Sequence, residues 1–224
     1  MDSVHIDAAM TVTTRNTPAA RSTYRHGDLR RALLNAGIEL ARQGGPDAVV
    51  LREATRRAGV APNAAYRHFA NRDDLLGAVR AAAVAAVAEA MEAELARVPA
   101  TGTPTAQAHA RVRAVGAGYM RFAHAETGLF RTAFGGRFTV QHDPDPAMGG
   151  ATGLNPFQHL SHALDALVAA GALPPERRPG AEYLAWSTVH GMALLAIDGP
   201  LHGSPQPLLD ALGQRLLDMV ERGL

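Results

Sequence analysis

Asn63, Tyr66, Arg67 and His68 recur at spacings that hold them near one side of a single helix. Each carries a group suited to nucleic acid. An amide can bond the edge of adenine bidentately and a guanidinium that of guanine, each pair giving about 1–3 kcal/mol of base discrimination. Asn63 and Arg67 are therefore the candidates for base contacts. Ala64 and Ala65 between them are small enough to let the helix come close, within reach of a thymine methyl. Leu51 to Ala58 forms a preceding short helix, and Gly59-Val60 is a tight turn between the two. Two such helices make a helix-turn-helix, which offers its second helix to the DNA major groove. Arg52 adds a further candidate contact; a solvated helix face is the competing reading for Arg52, Arg56 and Arg57. Arg72, near the start of the following helix, can reach a backbone phosphate. Arg25 and His26 precede the first helix and can touch the flanking backbone or minor groove.

These residues need a scaffold. Leu29, Leu33, Ala36 and Leu40 recur at helical spacing and predict a first helix over about 27–43, ended by Gly44-Gly45-Pro46. The second covers about 51–58 and the third about 62–69. Asn71 can cap a long fourth helix, with Asp73 and Asp74 at the positive end of its dipole. It is expected to run to about Val98, before Pro99 and Gly102. Further helices are expected near 105–124, 126–134, 156–171, 181–198 and 206–222. Residues 135–155 are rich in Gly, Pro and Asp and predict a long loop. Residues 1–22 lack periodicity and read as a disordered tail. No strand and no internal repeat stands out. The expected fold is all-α: a three-helix helix-turn-helix head over 23–80 and a helical body over 81–224.

Composition narrows the chemistry. The 224 residues are 47% hydrophobic, enough for a substantial core. Absence of cysteine excludes disulfides, Cys-ligated zinc and a thiol nucleophile. All 22 basic residues are arginine, which excludes lysine Schiff-base chemistry and a P-loop lysine. No apolar run approaches the ~18 residues of a membrane span, and no signal-peptide pattern opens the chain, so a soluble cytoplasmic protein is expected. The net charge of +1 conceals an asymmetry: residues 15–80 hold 12 Arg against 6 acids, whereas 81–224 hold 10 against 13. A basic block beside a slightly acidic one suits a DNA-contacting head joined to a different module.

Residues Tyr24-Arg25-His26-Gly27-Asp28-Leu29-Arg30-Arg31-Ala32-Leu33-Leu34 resemble the opening of a TetR-type regulator. So do Leu51-Arg52-Glu53-Ala54, Arg57-Ala58-Gly59-Val60, Tyr66-Arg67-His68-Phe69 and Asp74-Leu75-Leu76. Together these span residues 22–80. Trp186-Ser187-Thr188-Val189-His190-Gly191 resembles the Trp-x3-His-Gly signature of one C-terminal class of that family. The resemblance implies a homodimer that places helix three of each subunit in one half of a palindromic operator. It implies pairing through the last two helices and release by a small molecule bound in the body, most often as repression. It also assigns Tyr66 and His68 to phosphates, contacts that position the protein and make affinity salt-dependent. Two positions depart from the pattern. Val50 and Ala61 stand where the family usually has capping hydroxyls, so phosphate contacts from them are not expected, and an absent cap costs about 0.5–2 kcal/mol. Pro62 partly offsets the second loss.

The body supplies Phe122, Phe130, Trp186 and His190 as candidates to line an effector pocket, since small-molecule sites are apolar, partly aromatic cavities. His159 and His162 are i, i+3 neighbours, but no metal-binding pattern accompanies them. No catalytic constellation, cofactor motif or Walker pattern is present. Two alternatives stay open: a dimeric helical scaffold using its helix-turn-helix for protein contact, and an all-α enzyme using the histidines and carboxylates of the body.

Overall fold

Leu33, Ala36, Leu40 and Ala41 lie on one side of α1 (His26–Gly44), and all four are buried. The computed structural model describes residues 26–136 and 145–224, and for residues 26–28 the backbone alone. The expected tail over 1–22, Arg25, the side chain of His26 and part of the expected 135–155 loop lie outside the described residues. A one-turn 3-10 segment, Pro46–Ala48, follows α1. Then come α2 (Leu51–Arg57) and α3 (Pro62–Ala65). Between them Gly59 has φ +66°, a left-handed conformation that a side chain rarely adopts, so glycine makes the turn possible. Val50 and Ala61 occupy the two N-cap positions without any side-chain cap, as the sequence anticipates.

The third helix is shorter than expected. After Ala65 the chain tightens: Arg67 N–H donates to Ala64 O and His68 N–H to Ala65 O, both three residues back. This tight exit turns Phe69 into the core, where Arg30 stands 5.2 Å from its ring centre. Asn71 then caps α4 (Arg72–Leu95): its Oδ1 accepts from Asp74 N–H at 2.9 Å, and Asp74 accepts from Ala70 N–H in return. The helix stops at Leu95 rather than Val98. Arg97 and Val98 bond three residues back, because Pro99 disfavours α geometry at the residue before it.

Helix α4 is the spine of the molecule. Its 24 residues span roughly 36 Å at 1.5 Å per residue. Leu75 and Val79 pack on α1 beside Gly37, whereas Val84, Val87 and Met91 belong to the core of the body. The body adds α5 (Pro104–Ala125), α6 (Thr127–Phe134), α7 (Pro156–Ala169), α8 (Ala181–Ile197) and α9 (Gln206–Gly223). Thr103 caps α5, and Asn155 with Gln158 forms a reciprocal capping box on α7. All described secondary structure is helical. Among the described residues no helix is long and apolar enough to cross a membrane.

Short α6 sits where head and body meet. Gly128 lies against the α1 backbone so closely that an added Cβ would fall 2.8 Å from the Arg42 carbonyl carbon and closer still to the Ala41 and Arg42 oxygens. Arg42 donates to Glu126 at 2.7 Å just before α6 begins. From α4, Arg80 donates to Thr132 O and Gly135 O, satisfying carbonyls at the α6 C-terminus. Arg131 pairs with Asp198 at the end of α8.

Candidate nucleic-acid interface and internal cavity

Leu51, Ala54, Ala65 and Phe69 point inward, which leaves the opposite sides of α2 and α3 to solvent. Asn63 and Arg67 are exposed, Tyr66 is 58% exposed, and Ala64 and His68 are half-buried. The helix-turn-helix therefore presents its polar side chains outward as one surface. Arg52 is exposed on α2. Arg56 and Arg57 are engaged instead with Glu53, at 2.7 and 3.0 Å. Hydrogen bonds from Arg56 and then Arg57 hold the Glu53 carboxyl at a pKa of about 2.

Arg72 is placed differently from the sequence expectation. Its Nε donates to Val49 O at 2.9 Å and its Nη2 to Pro46 O at 2.8 Å, while Asp47 and Asp73 flank it. The guanidinium thus ties α4 to the segment entering α2. It staples the head together, because two backbone carbonyls lie within its reach.

The body encloses a cavity of about 500 Å³ between α4, α5, α7, α8 and α9. Its wall combines aliphatic side chains with Tyr119, Phe134, Phe157, Tyr183 and Trp186. Of the four residues expected to line it, only Trp186 does so. Phe130 is fully buried behind the wall, edge-on to Tyr119 at 5.3 Å, and Phe122 is likewise core. His190 stands one layer back. Trp186 Nε1–H donates to the Tyr119 hydroxyl at 3.0 Å, and that hydroxyl lies 2.7 Å from His190 Nδ1. Burial pushes the His190 pKa down, favouring the neutral imidazole, whose Nδ1 can accept the phenolic proton. Burial also raises the Tyr119 pKa, against the opposing hydrogen bond from Trp186, and keeps the phenol protonated. Gly191 does not mediate close packing among the described residues: apart from its chain neighbours and its own helix backbone, none of their atoms lies within 4 Å of where its Cβ would stand.

Tyr119, Phe134, Phe157 and Tyr183 were not singled out from sequence as lining residues. A signal existed for one of them: Tyr183 precedes Trp186 by three residues on the same helix. Phe134 and Phe157 flank the long 135–155 connection, and only the fold brings them together across the void. The described part of that connection is not loose. The Glu92 carboxylate on α4 accepts from the Ala151 and Thr152 backbones, the Thr152 hydroxyl and His159 Nε2, all within 3.1 Å. Burial works against ionisation of Glu92, but these hydrogen bonds outweigh it and hold its pKa below the ordinary value. His159 is thereby drawn inward, whereas His162 stays exposed at the cavity rim, so the two do not act as a pair.

Residues 33–79 match the family model described as "Bacterial regulatory proteins, tetR family". Residues 112–220 match "Tetracyclin repressor-like, C-terminal domain". No curated protein matches the chain. Among solved structures, a protein of unknown function from Rhodococcus sp. RHA1 is 27% identical, with a TM-score of 0.70 over 91% of this chain and 99% of that one. A TetR family transcriptional regulator from Chloroflexus aurantiacus J-10-FL is 18% identical, with a TM-score of 0.56 over 88% and 93%. PfmR, a TetR family transcriptional regulator from Thermus thermophilus, is 17% identical, with a TM-score of 0.52 over 86% and 98%. The last two establish likeness of fold alone.

Proposed function

Because the chain belongs to the TetR family of bacterial transcriptional regulators, we propose that it represses transcription as a homodimer on a palindromic operator and is released by a small molecule held in the 500 Å³ cavity. The observation that carries this reading is the outward presentation of Asn63, Tyr66 and Arg67 from a buried helix-turn-helix core. Asn63 and Arg67 read base edges, Ala64 permits close approach, and Tyr66 and His68 hold phosphates. Arg52 adds a backbone contact. Arg72 acts indirectly, by fixing the entry to α2. The head corresponds to residues 23–80 and the effector and dimerisation body to 81–224.

An exposed apolar stripe supports the dimer. Leu184, Thr188, Gly191 and Leu195 follow one another at spacings of four, three and four along α8, and the Thr188 hydroxyl is satisfied by Leu184 O. Leu184 is 62% exposed and Leu195 46%. Leu208 and Met219 continue an exposed apolar row on α9. Large apolar side chains in such a row mark an interaction face, and the space over Gly191 admits a partner helix. Two copies joined there would carry two recognition surfaces, as a twofold-symmetric operator requires.

The coupling route runs through α6. Phe134 lines the cavity and contacts Trp186, while Gly128 at the other end of α6 abuts α1. A ligand that displaces Phe134 moves a rigid two-turn helix against the head. Selection of bound duplexes from random DNA tests the reading. An enriched inverted repeat, lost on Asn63→Ala with Arg67→Ala, supports it. Absence of any enriched sequence favours the helical scaffold over the operator-binding dimer.

A further inference from the structure

The cavity has an electrical character as well as a shape. Among the described residues that line it, Asp165 is the one Asp, Glu or Arg, although the chain holds 22 arginines. Two more carboxylates stand directly behind the wall. Glu182 accepts from Ser161, which lines the void, at 2.9 Å. Glu92 follows Met91, another lining residue. Burial disfavours the charge on both, yet hydrogen bonds overcome it and depress both pKa values, so both are ionised at neutral pH. A single guanidinium answers two of these anions: Arg178 donates to Asp165 at 2.8 Å and to Ser161 Oγ at 2.9 Å, and pairs with Glu182 at 2.8 Å, while Glu92 is met by Ala151, Thr152 and His159. Carboxylates therefore outnumber guanidinium groups around this end of the void.

The two donors at the aromatic end of the void are already engaged with each other and with the layer behind. The Trp186 indole N–H is taken by Tyr119, whose hydroxyl in turn meets His190. What the wall does offer is π faces: Tyr119, Phe134, Phe157, Tyr183 and Trp186 surround one void. Aromatic faces attract cations and gain strength when desolvated. A net negative surround repels anions across the same low-dielectric space.

We infer that the cavity selects a lipophilic organic cation of drug-like size, held by aromatic faces and the Asp165 end of the void, and discriminates against carboxylates and phosphates. This rests on the effector-site reading above and specifies its ligand class. Trp186 is the only tryptophan in the chain, so its fluorescence reports occupancy directly. Tetraphenylphosphonium and tetraphenylborate are nearly isosteric probes of opposite charge. The full-length protein binds the phosphonium with saturable Trp186 quenching and a Kd at least tenfold below that for the borate, about 1.4 kcal/mol. Asp165→Asn reduces that ratio at least threefold and Asp165→Glu preserves it. Equal or tighter binding of the borate, or no quenching by the phosphonium at any soluble concentration, overturns the inference. Operator affinity measured on the same samples separates the two claims. Phosphonium binding without loss of operator affinity refutes effector release and keeps the cavity chemistry. Borate preference accompanied by release does the reverse.

Discussion

Adding one methyl group at residue 128 drives α6 away from α1. In Gly128→Ala the new Cβ would stand 2.8 Å from the Arg42 carbonyl carbon, with two carbonyl oxygens nearer still. Carbon atoms pack best at about 3.5–4.0 Å, so the helices must separate by about 1 Å. None of these obstacles is a flexible side chain; all are backbone atoms of the last turn of α1. The Arg42–Glu126 bond and the two Arg80 bonds to the end of α6 resist the separation, so α1 and the attached head tilt rather than detach. Overpacking of this kind costs about 1–3 kcal/mol. For a chain of this size that lowers Tm by about 2–4 °C per kcal/mol. Operator affinity should fall at least tenfold, because two recognition surfaces must meet a fixed half-site spacing. Dimer mass by light scattering should be unchanged, since α8 and α9 carry the pairing face, whereas Trp186 fluorescence should shift, because Phe134 at the end of α6 contacts it. The assay is operator titration by anisotropy beside a thermal melt. Wild-type operator affinity in a variant whose Tm has fallen would refute the argument that α6 transmits strain to the head.

The other perturbations address separate parts of the account. Tyr66→Ala should weaken binding to all duplexes alike with the salt dependence unchanged, because a neutral phenol displaces no counterion, whereas Arg67→Ala should relax preference at one operator position by about 1–3 kcal/mol; a uniform loss for Arg67 would move it to the phosphates. Tyr119→Phe leaves the Trp186 N–H and His190 Nδ1 without their shared hydroxyl and should cost about 1–3 kcal/mol by thermal denaturation; an unchanged Tm would count against that network. Glu92 has a folded pKa below its ordinary 4.5, so its anchor contributes stability above that pH and loses it as pH falls through the lower folded value. Hydrogen-exchange protection at the Ala151 and Thr152 amides should thus drop at acid pH, and at neutral pH in Glu92→Gln; protection equal to wild type in that variant contradicts the anchor. Leu184→Glu should yield a monomer with weak operator binding, and a persistent dimer would relocate the interface.

Helix positions were legible where local chemistry punctuates the chain. Asn71, Asn155-Pro156 and the Gly44-Gly45-Pro46 stop are written in residues that act on their own neighbours. So is the outward face of the recognition helix, because Phe69 fixes its inward side, although Ala65, read from sequence as a close-approach residue beside Ala64, is fully buried instead. The early end of α3 was not legible, since it depends on where Phe69 finds its pocket beside Arg30. The Arg72 staple was hidden for a similar reason: its acceptors are backbone carbonyls of residues 46 and 49, which no side-chain pattern announces. The cavity was least legible. Phe122 and Phe130 satisfy the same helical spacing whether they face a void or a packed core. Only the arrangement of α4, α5, α7, α8 and α9 decides that Trp186 and Phe134 line space while Phe130 does not.

The central claim is that two copies of this chain, paired through α8 and α9, read two halves of one duplex. Native mass measurement on a duplex enriched from random DNA tests it most directly. The account predicts two protomers per duplex on an inverted repeat, with binding lost when either half is scrambled. A single protomer bound equally well to an isolated half-site would contradict it.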